Sequence, residues 1–255
     1  MIMISIIIPF YNNNKTIIKS ASSALSNEGA ELEVLVIEDG KTMDPDVRMR
    51  LLEMGKEAGK TLRIITLDKN KGVWNARNVG VQNATGEYVA FLDADDWWTK
   101  DKLKNQLRVI EHFTIKGVSP SIVFSGRELY DEDGNDLNKY IPAKKAIGYR
   151  GLLRSNIINC SSVLLRRDTA LKYPMKEGHF HEDYLCWLEI LRDGGYAAGI
   201  DKPYLCYRVS GSSKSGNKVK SALMTYNVYK KAGLTFPERM IYICSYAYNG
   251  FKKYS

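Results

Sequence analysis

Four short β-branched runs, separated by stretches with helical spacing, constrain this chain more than anything else in its sequence. Ile4–Pro9 is a continuous apolar run, the mark of a strand covered on both faces, with Pro9 at its end. Thr16–Ser26 follows as a helix, with Ile17, Ile18, Ala21 and Leu25 at helical spacing. Glu33–Ile37 is a second strand, closed by Glu38-Asp39-Gly40. Pro45 opens a helix that runs to about Ala58, with Gly59 as its stop. Leu62–Leu67, Trp74–Asn83 and Tyr88–Leu92 continue as strand, helix and strand. Alternation of this kind predicts an α/β fold, a mostly parallel sheet with helices on both faces.

The pattern changes after a further helix at Asp101–Phe113. Ile122–Tyr130 and Asp136–Tyr140 flank the turn sequence Asp131-Glu132-Asp133-Gly134-Asn135, which predicts a hairpin. Ser161–Arg166 reads as a strand and Asp183–Arg192 as an amphipathic helix ended by Gly194-Gly195. Gly211–Gly216 reads as a mobile loop before the last helices. At 255 residues the chain can bury one large α/β core or one core with an appendage. No stretch approaches the ~18–20 apolar residues of a membrane span, and Ile2–Phe10 lacks the basic flank and cleavage site of a signal peptide. The cysteines Cys160, Cys186, Cys206 and Cys244 are scattered, as expected of reduced apolar fillers in a cytoplasmic chain.

The formal net charge is +8, and much of it lies near the C-terminus. Between Lys218 and Lys253 stand seven basic residues and one acid, Glu238, interleaved with eight aromatics from Tyr226 to Tyr254. Basic charge with aromatics suits a membrane surface carrying anionic headgroups. The competing reading is a solvated helix pair with some of its aromatics turned inward.

The chemistry concentrates in Phe91-Leu92-Asp93-Ala94-Asp95-Asp96. Three carboxylates follow a buried strand, at the edge where open α/β sheets bind ligands. Crowded like charges require a cation or strong donors, and oxygen-only ligands suit Mn²⁺ or Mg²⁺. If strand alternation persists, Asp93 and Asp95 point the same way; helix capping is the plainer role for Asp95 or Asp96. Asp39 and Tyr11-Asn12, after the second and first strands, emerge at the same edge. A zinc reading of His179-Phe180-His181-Glu182-Asp183 finds no second His/Cys cluster to complete it.

Ser5–Asn12, Val36–Gly40, Gly72–Gly80 and Gly86–Asp96, in that order, resemble the family 2 glycosyltransferases with their GT-A fold, a Rossmann-like sheet that binds nucleotide-diphospho-sugars. The likeness is strong over residues 4–113, loose to about 210 and absent beyond. It implies a nucleotide-sugar-binding half (1–113), a mixed acceptor-binding half with the catalytic base (114–210), and a flexible loop with basic aromatic helices (211–255). It further implies that Tyr11 and Asp39 hold the nucleotide base, usually uracil, with Pro9, Asn12 and Ala94 among the other nucleotide-sugar-binding residues. Asp93 would lie by the ribose, Asp95 on the divalent ion, and Arg77 near the donor. Phe10 stands where the family often has a small or hydroxylated residue, and Glu38 replaces the commoner Asp. The family's base belongs to a Glu-Asp pair heading a helix, here Glu182-Asp183, which makes Asp183 the candidate base and His181 and Glu182 candidate acceptor contacts.

The segment Tyr207–Lys214 resembles the family's loop that closes over the donor, with Arg208 and Lys214 as phosphate contacts. Processive members carry membrane spans and a Gln-x-x-Arg-Trp motif; neither is present here, which favours addition of a single sugar. The expected partners are a UDP-sugar and a saccharide acceptor carried on a lipid, with the tail docked peripherally at the inner membrane face, in capsule or lipopolysaccharide assembly. A sugar-phosphate nucleotidyltransferase is the alternative, but its loop after the first strand is usually Gly-rich, and Phe10–Lys15 has no glycine. No nucleic-acid recognition motif accompanies the positive tail.

Overall fold

The computed structural model describes residues 2–209 and 218–254. The first half forms the predicted series: β1 (Met3–Phe10), α1 (Ile17–Leu25), β2 (Glu31–Asp39), α2 (Pro45–Glu57), β3 (Thr61–Leu67), α3 (Val73–Asn83) and β4 (Tyr88–Phe91). β1, β2, β3 and β4 are mutually parallel, in the order β3-β2-β1-β4. The chain thus runs outward from β1 to β3 and returns to the other side of β1. The loops after β1 and β4 diverge at that switch point, where open sheets bind ligands.

Alternate residues of these strands feed two cores. Ile6, Ile8, Val34 and Val36 pack with Ala21, Leu25, Leu51 and Leu103 on one face. Ile7, Leu35, Ile37 and Phe91 pack with Ala76, Tyr184, Trp187 and Val228 on the other. This explains the unbroken apolar runs: a strand covered on both sides has no solvent face to make polar. Pro9 does not end β1, which extends to Phe10 beside β2. Of β1, only Ile4–Ile7 pair with β4, so the missing amide of Pro9 falls beyond β4.

The second half continues the same sheet. β5 (Trp97–Trp98) precedes α4 (Lys102–Ile115); β6 (Ile122–Tyr130) and β7 (Asp136–Ile141) form the expected antiparallel hairpin. Then come β8 (Ala146–Ile147), α5 (Tyr149–Arg154), a 3₁₀ turn (Cys160–Ser162), β9 (Leu164–Arg166), α6 (Arg167–Lys172), α7 (Glu182–Arg192) and β10 (Ala197–Arg208). The sheet order is β3-β2-β1-β4-β9-β6-β10-β5. The segment expected as one strand over Ser161–Arg166 is therefore a 3₁₀ turn followed by a three-residue strand: the Asn159 side chain accepts from Ser161 N–H at 2.8 Å and caps the turn.

β10 was hidden by its own breakers. Its register slips around Pro203, between Ile200 and Leu205, and a Cβ on Gly199 would meet the Lys144 carbonyl oxygen at 2.0 Å. β10 is parallel to β6, and β6 is antiparallel to β9, which is antiparallel to β4. The carboxyl ends of β1, β2, β4, β6 and β10 therefore share one edge. α8 (Lys218–Lys231) and α9 (Phe236–Tyr254) pack beside α7 and α5.

α3 lies close against β1 at Gly80, where a Cβ would stand 2.3 Å from Ile7 Cγ2. We expect Gly80→Ala to cost about 1–3 kcal/mol through overpacking, measured by urea unfolding, and Ile7→Ala in the same chain to recover part of that loss. Additive losses in the double variant would show that the contact is not the cause.

Candidate active site

The side chains of this edge are set from β2 onward. Neighbouring residues of a strand face opposite ways, and Glu38 and Asp39 do so with different tasks. Glu38 is fully buried. It accepts from Met43 N–H at 2.8 Å, from Arg48 Nη1 at 2.7 Å and from the Thr66 hydroxyl. Burial raises its carboxyl, but the bonds from Thr66, Met43 and Arg48 outweigh it and leave it below the ordinary value. Glu38 is thus a structural anchor, and the extra methylene over Asp carries the carboxylate to three donors.

Asp39 accepts from the backbone N–H groups of Lys71 at 2.9 Å and Gly72 at 2.8 Å. Gly40 turns with φ +71, in a space where a Cβ would meet Asn70 N at 2.0 Å. The loops after β2 and β3 are thereby drawn together at the start of α3. Asn12, at φ +61, accepts from Lys41 Nζ at 2.6 Å and joins the loop after β1 to that after β2. Tyr11 stands 52% exposed beside it, with its ring open to solvent.

α3 carries two adjacent residues that tie the halves together. Asn78 clamps Met175 by its backbone, donating to the carbonyl at 2.7 Å and accepting from the amide at 3.0 Å. Arg77 turns inward rather than to Asp68 or Glu87: Nη2 donates to Asp93 Oδ1 at 2.6 Å and Nη1 to Glu182 Oε1 at 3.3 Å. Burial disfavours the Arg77 cation, yet the carboxylates of Asp93, Glu182 and Asp183 around it hold its pKa well above the usual value. One buried guanidinium therefore links the end of β4 to the start of α7.

Beyond Phe91 the strand ends, and Asp96 N–H donates to the Asp93 carbonyl at 3.1 Å. The segment Asp93–Asp96 is a turn, so the expectation that strand alternation orients Asp93 and Asp95 alike does not hold. Ala94 is buried in the α1/α4 core. Asp96 is buried too and caps no helix; its Oδ1 accepts from Arg208 N–H at 3.0 Å, and its Oδ2 has no hydrogen-bond partner among the described residues. Burial and the charges of Asp95 and Asp93 push Asp96 well above the ordinary range. Burial and Asp93 push Asp95 up to about 6.

This excess of negative charge is what a divalent cation relieves. Among the described residues no group of three or more His, Cys, Asp or Glu surrounds an ion. Mg²⁺-type ions commonly use one or two carboxylates and complete their shell with water and substrate phosphate. Asp95 with Asp93 fits that kind of site.

Arg208 is held by three groups: its N–H by Asp96, its Nε by the Asp95 carbonyl at 3.0 Å, and its Nη1 by the Glu132 carbonyl. Its guanidinium and the Lys19 ammonium, 5.3 and 3.3 Å from the ring centroid, both lie against Trp97. Lys214 lies outside the described residues. On the other side, Asp183 opens α7, its Oδ1 accepting from Tyr184 N–H at 2.8 Å. Burial and the Glu182 charge raise its carboxyl, against the pull of Arg77 and His181. His181 Nε2 lies 3.3 Å from both the carbonyl and the hydroxyl of Ser221, on α8.

Sequence reasoning missed Trp97, Lys19 and Ser161. Ser161 Oγ accepts from Asp93 N–H at 3.1 Å, and its carbonyl accepts from Trp98 Nε1 at 2.7 Å. No spacing in the sequence ties Ser161 to Asp93; the 3₁₀ turn brings them together.

The family 2 glycosyl transferase model matches residues 5–172. The chain belongs to that family. It is 31% identical over 98% of its length to a protein named for teichuronic acid biosynthesis, the glycosyltransferase TuaG of Bacillus subtilis (strain 168), of which it covers 97%. It is 32% identical over its whole length to WfaP of Escherichia coli, a UDP-Glc:alpha-D-GlcNAc-diphosphoundecaprenol beta-1,3-glucosyltransferase, and covers 96% of it. Among solved structures, S. aureus TarS 1-349 in complex with UDP superposes with TM-score 0.68 at 19% identity, over 98% of this chain and 72% of that one. The mannosyltransferase PcManGT of Pyrobaculum calidifontis, in complex with GDP-Man and Mn2+, gives TM-score 0.68 at 16% identity, over 95% and 68%. The GT-A fold and glycosyltransferase activity follow, and relatives of this family member act in cell-surface polysaccharide synthesis.

Two outcomes test this site's electrostatics. Arg77→Met leaves Asp93 and Glu182 without their shared cation and should cost about 3–5 kcal/mol in urea unfolding. Arg77→Lys should recover only part, since one ammonium lacks the planar fork that reaches both carboxylates. For Glu38 the folded-state pKa lies below the ordinary 4.5. Its stabilisation is therefore complete above about 4.5 and is lost as pH falls through the lower folded value. Glu38→Gln should lower the Tm near neutrality, and the gap to the parent should narrow at low pH.

Proposed function

We propose that this enzyme transfers one hexose, with inversion, from a UDP-sugar to a saccharide acceptor carried on a lipid, as a step in cell-surface polysaccharide synthesis. The observation that carries the reading is the Arg77 guanidinium, which holds Asp93 of the donor-side turn and Glu182, next to the candidate base, on two arms of one side chain. It fixes the two sides of the reaction relative to each other.

Tyr11, exposed above the loop after β1, offers a face on which the uracil ring stacks. Pro9, Asn12 and Asp39 shape the floor beneath it, and each Asp39 oxygen keeps a lone pair beyond the loop amide it accepts. Asp93 borders the ribose. Mn²⁺ or Mg²⁺ would be held by Asp95 with Asp93 beside it, and when bound supplies positive charge to offset that growing on the departing diphosphate. Arg208, tied to the Asp95 carbonyl, adds a fixed positive charge behind the same turn. Asp183 takes the proton from the acceptor hydroxyl. As that oxygen bonds to the anomeric carbon, the bond from this carbon to the diphosphate oxygen breaks, and its electron pair leaves with UDP. Burial and Glu182 raise the Asp183 carboxyl, which makes it a stronger base than an exposed aspartate. His181 and Glu182 flank the acceptor. The lipid carrier accords with the diphosphoundecaprenol in the name of WfaP.

A panel of nucleotide sugars with Mn²⁺, scored for nucleotide release, tests the donor; we expect UDP-glucose or UDP-galactose to respond. Asp183→Asn should lower turnover by about 10²–10⁴ while donor affinity, read by calorimetry, stays within a few-fold of the parent. Full turnover in Asp183→Asn would remove the base assignment, and silence across all donors would remove the reading itself.

A further inference from the structure

α9 is built the wrong way round for a helix on a water-soluble surface. Its solvent face is apolar: Phe236, Pro237, Met240, Ile241, Cys244, Ala247 and Tyr248 are all exposed, Ile241 by 66% and Tyr248 by 71%. At 100° per residue these positions lie within one arc of about 140°, and no charged residue falls inside it. The polar side chains turn the other way. Asn249 Nδ2 donates to the Arg154 carbonyl at 3.2 Å and to the Ser245 carbonyl at 2.8 Å, while Tyr242 and Ile243 pack on the core. An amphipathic helix of a soluble domain buries its apolar stripe; this one buries a mixed stripe and presents the apolar one.

The neighbouring helix is basic on its exposed surface. Lys220, Lys230 and Lys231 of α8 are exposed, and with them Leu223. Among the described side chains of α8 and α9, Glu238 is the single acid against Lys220, Lys230, Lys231 and Arg239. Apolar and aromatic side chains bordered by lysines match the boundary between acyl chains and anionic headgroups. The platform is held from within and across the helix pair: the Tyr229 hydroxyl donates to the Leu153 carbonyl at 2.7 Å, and Arg239 lies over Tyr226 of α8 and the exposed Phe236 at 5.1 and 5.7 Å from their centroids. α8 also reaches the proposed reaction centre, since Ser221 contacts His181, two residues before Asp183.

We propose that the outer face of α9, with the lysines of α8, docks the enzyme on an anionic lipid bilayer and so holds the side bearing Asp183 towards an acceptor in that bilayer. The inference rests on the lipid-linked acceptor reading above for its purpose, but on the inverted face of α9 for its evidence. The helix lies on the surface; no helix among the described residues is long and apolar enough to cross a membrane.

Flotation of the full chain with phosphatidylglycerol/phosphatidylethanolamine vesicles, against phosphatidylcholine alone, tests it. The enzyme should float with the anionic vesicles, less so at high salt. Ile241→Glu/Tyr248→Glu should cut the bound fraction by about tenfold or more, whereas Ile115→Glu, an exposed apolar residue on α4, should not. Turnover of the Ile241→Glu/Tyr248→Glu enzyme should match the parent on a water-soluble acceptor and fall on an acceptor embedded in vesicles. No flotation, or flotation unchanged by the double substitution, overturns the proposal. So does a parent that self-associates in sedimentation without binding vesicles and becomes monomeric on Ile241→Glu/Tyr248→Glu, which would make the face a contact between two copies. Flotation that behaves as expected in an enzyme releasing no nucleotide from any donor would instead count against the proposed reaction alone.

Discussion

The buried guanidinium of Arg77 is the interaction on which the rest of the site depends. A cation removed from water is costly unless carboxylates pair with it, and here Asp93 and Glu182 each take one terminal nitrogen. They belong to elements 89 residues apart in the chain, the turn after β4 and the start of α7. If either acid moves away, the buried guanidinium keeps only one of its two carboxylates. Asp95, Asp96 and Asp183 crowd the same edge, and Arg77 with Arg208 does not offset all of their charge. The residual negative potential is a property of the fold, and it makes a divalent ion or a positively charged loop welcome at this edge.

The features of α3 serve that guanidinium. Gly72 starts the helix at φ +94 and gives its amide to Asp39, which couples α3 to the end of β2. Gly80 lets the helix settle on Ile7 of β1. Between them, Arg77 reaches Asp93 and Asn78 clamps Met175. The motif Gly72–Gly80 is therefore a docking device whose two glycines set the height of the helix and whose Arg-Asn pair joins both halves of the molecule. In the function proposed above, that joint holds a donor side and a candidate base side in one frame.

The C-terminal helices fit the same plan from outside. α8 packs against α7 through Val228 and Tyr229, and its Ser221 meets His181. The exposed aromatics of the tail and the buried ones belong to different faces of the same helices, so a basic aromatic segment both finishes the core and leaves an apolar surface. A composition rich in lysine and tyrosine does not distinguish these roles. The direction in which each side chain leaves the helix does.

The amino-acid order by itself determined the parallel core, because strands covered on both faces must be apolar without interruption, and that signature is local in Ile4–Ile8, Val34–Ile37 and Val89–Leu92. It also placed Asp39, Tyr11 and Asp93–Asp96 at one edge, since every parallel strand of such a sheet ends on the same side. It did not reveal β10, whose Gly199 and Pro203 look like breakers until the neighbouring carbonyl of Lys144 and the slipped register account for them. Nor did it separate anchoring Glu38 from Asp39, or pair Arg77 with Asp93 and Glu182 and Ser161 with the Asp93 amide. Those assignments are contacts between residues remote in sequence. Only the packed chain decides them, because the energy of a buried charge is fixed by whatever the fold brings within hydrogen-bonding distance.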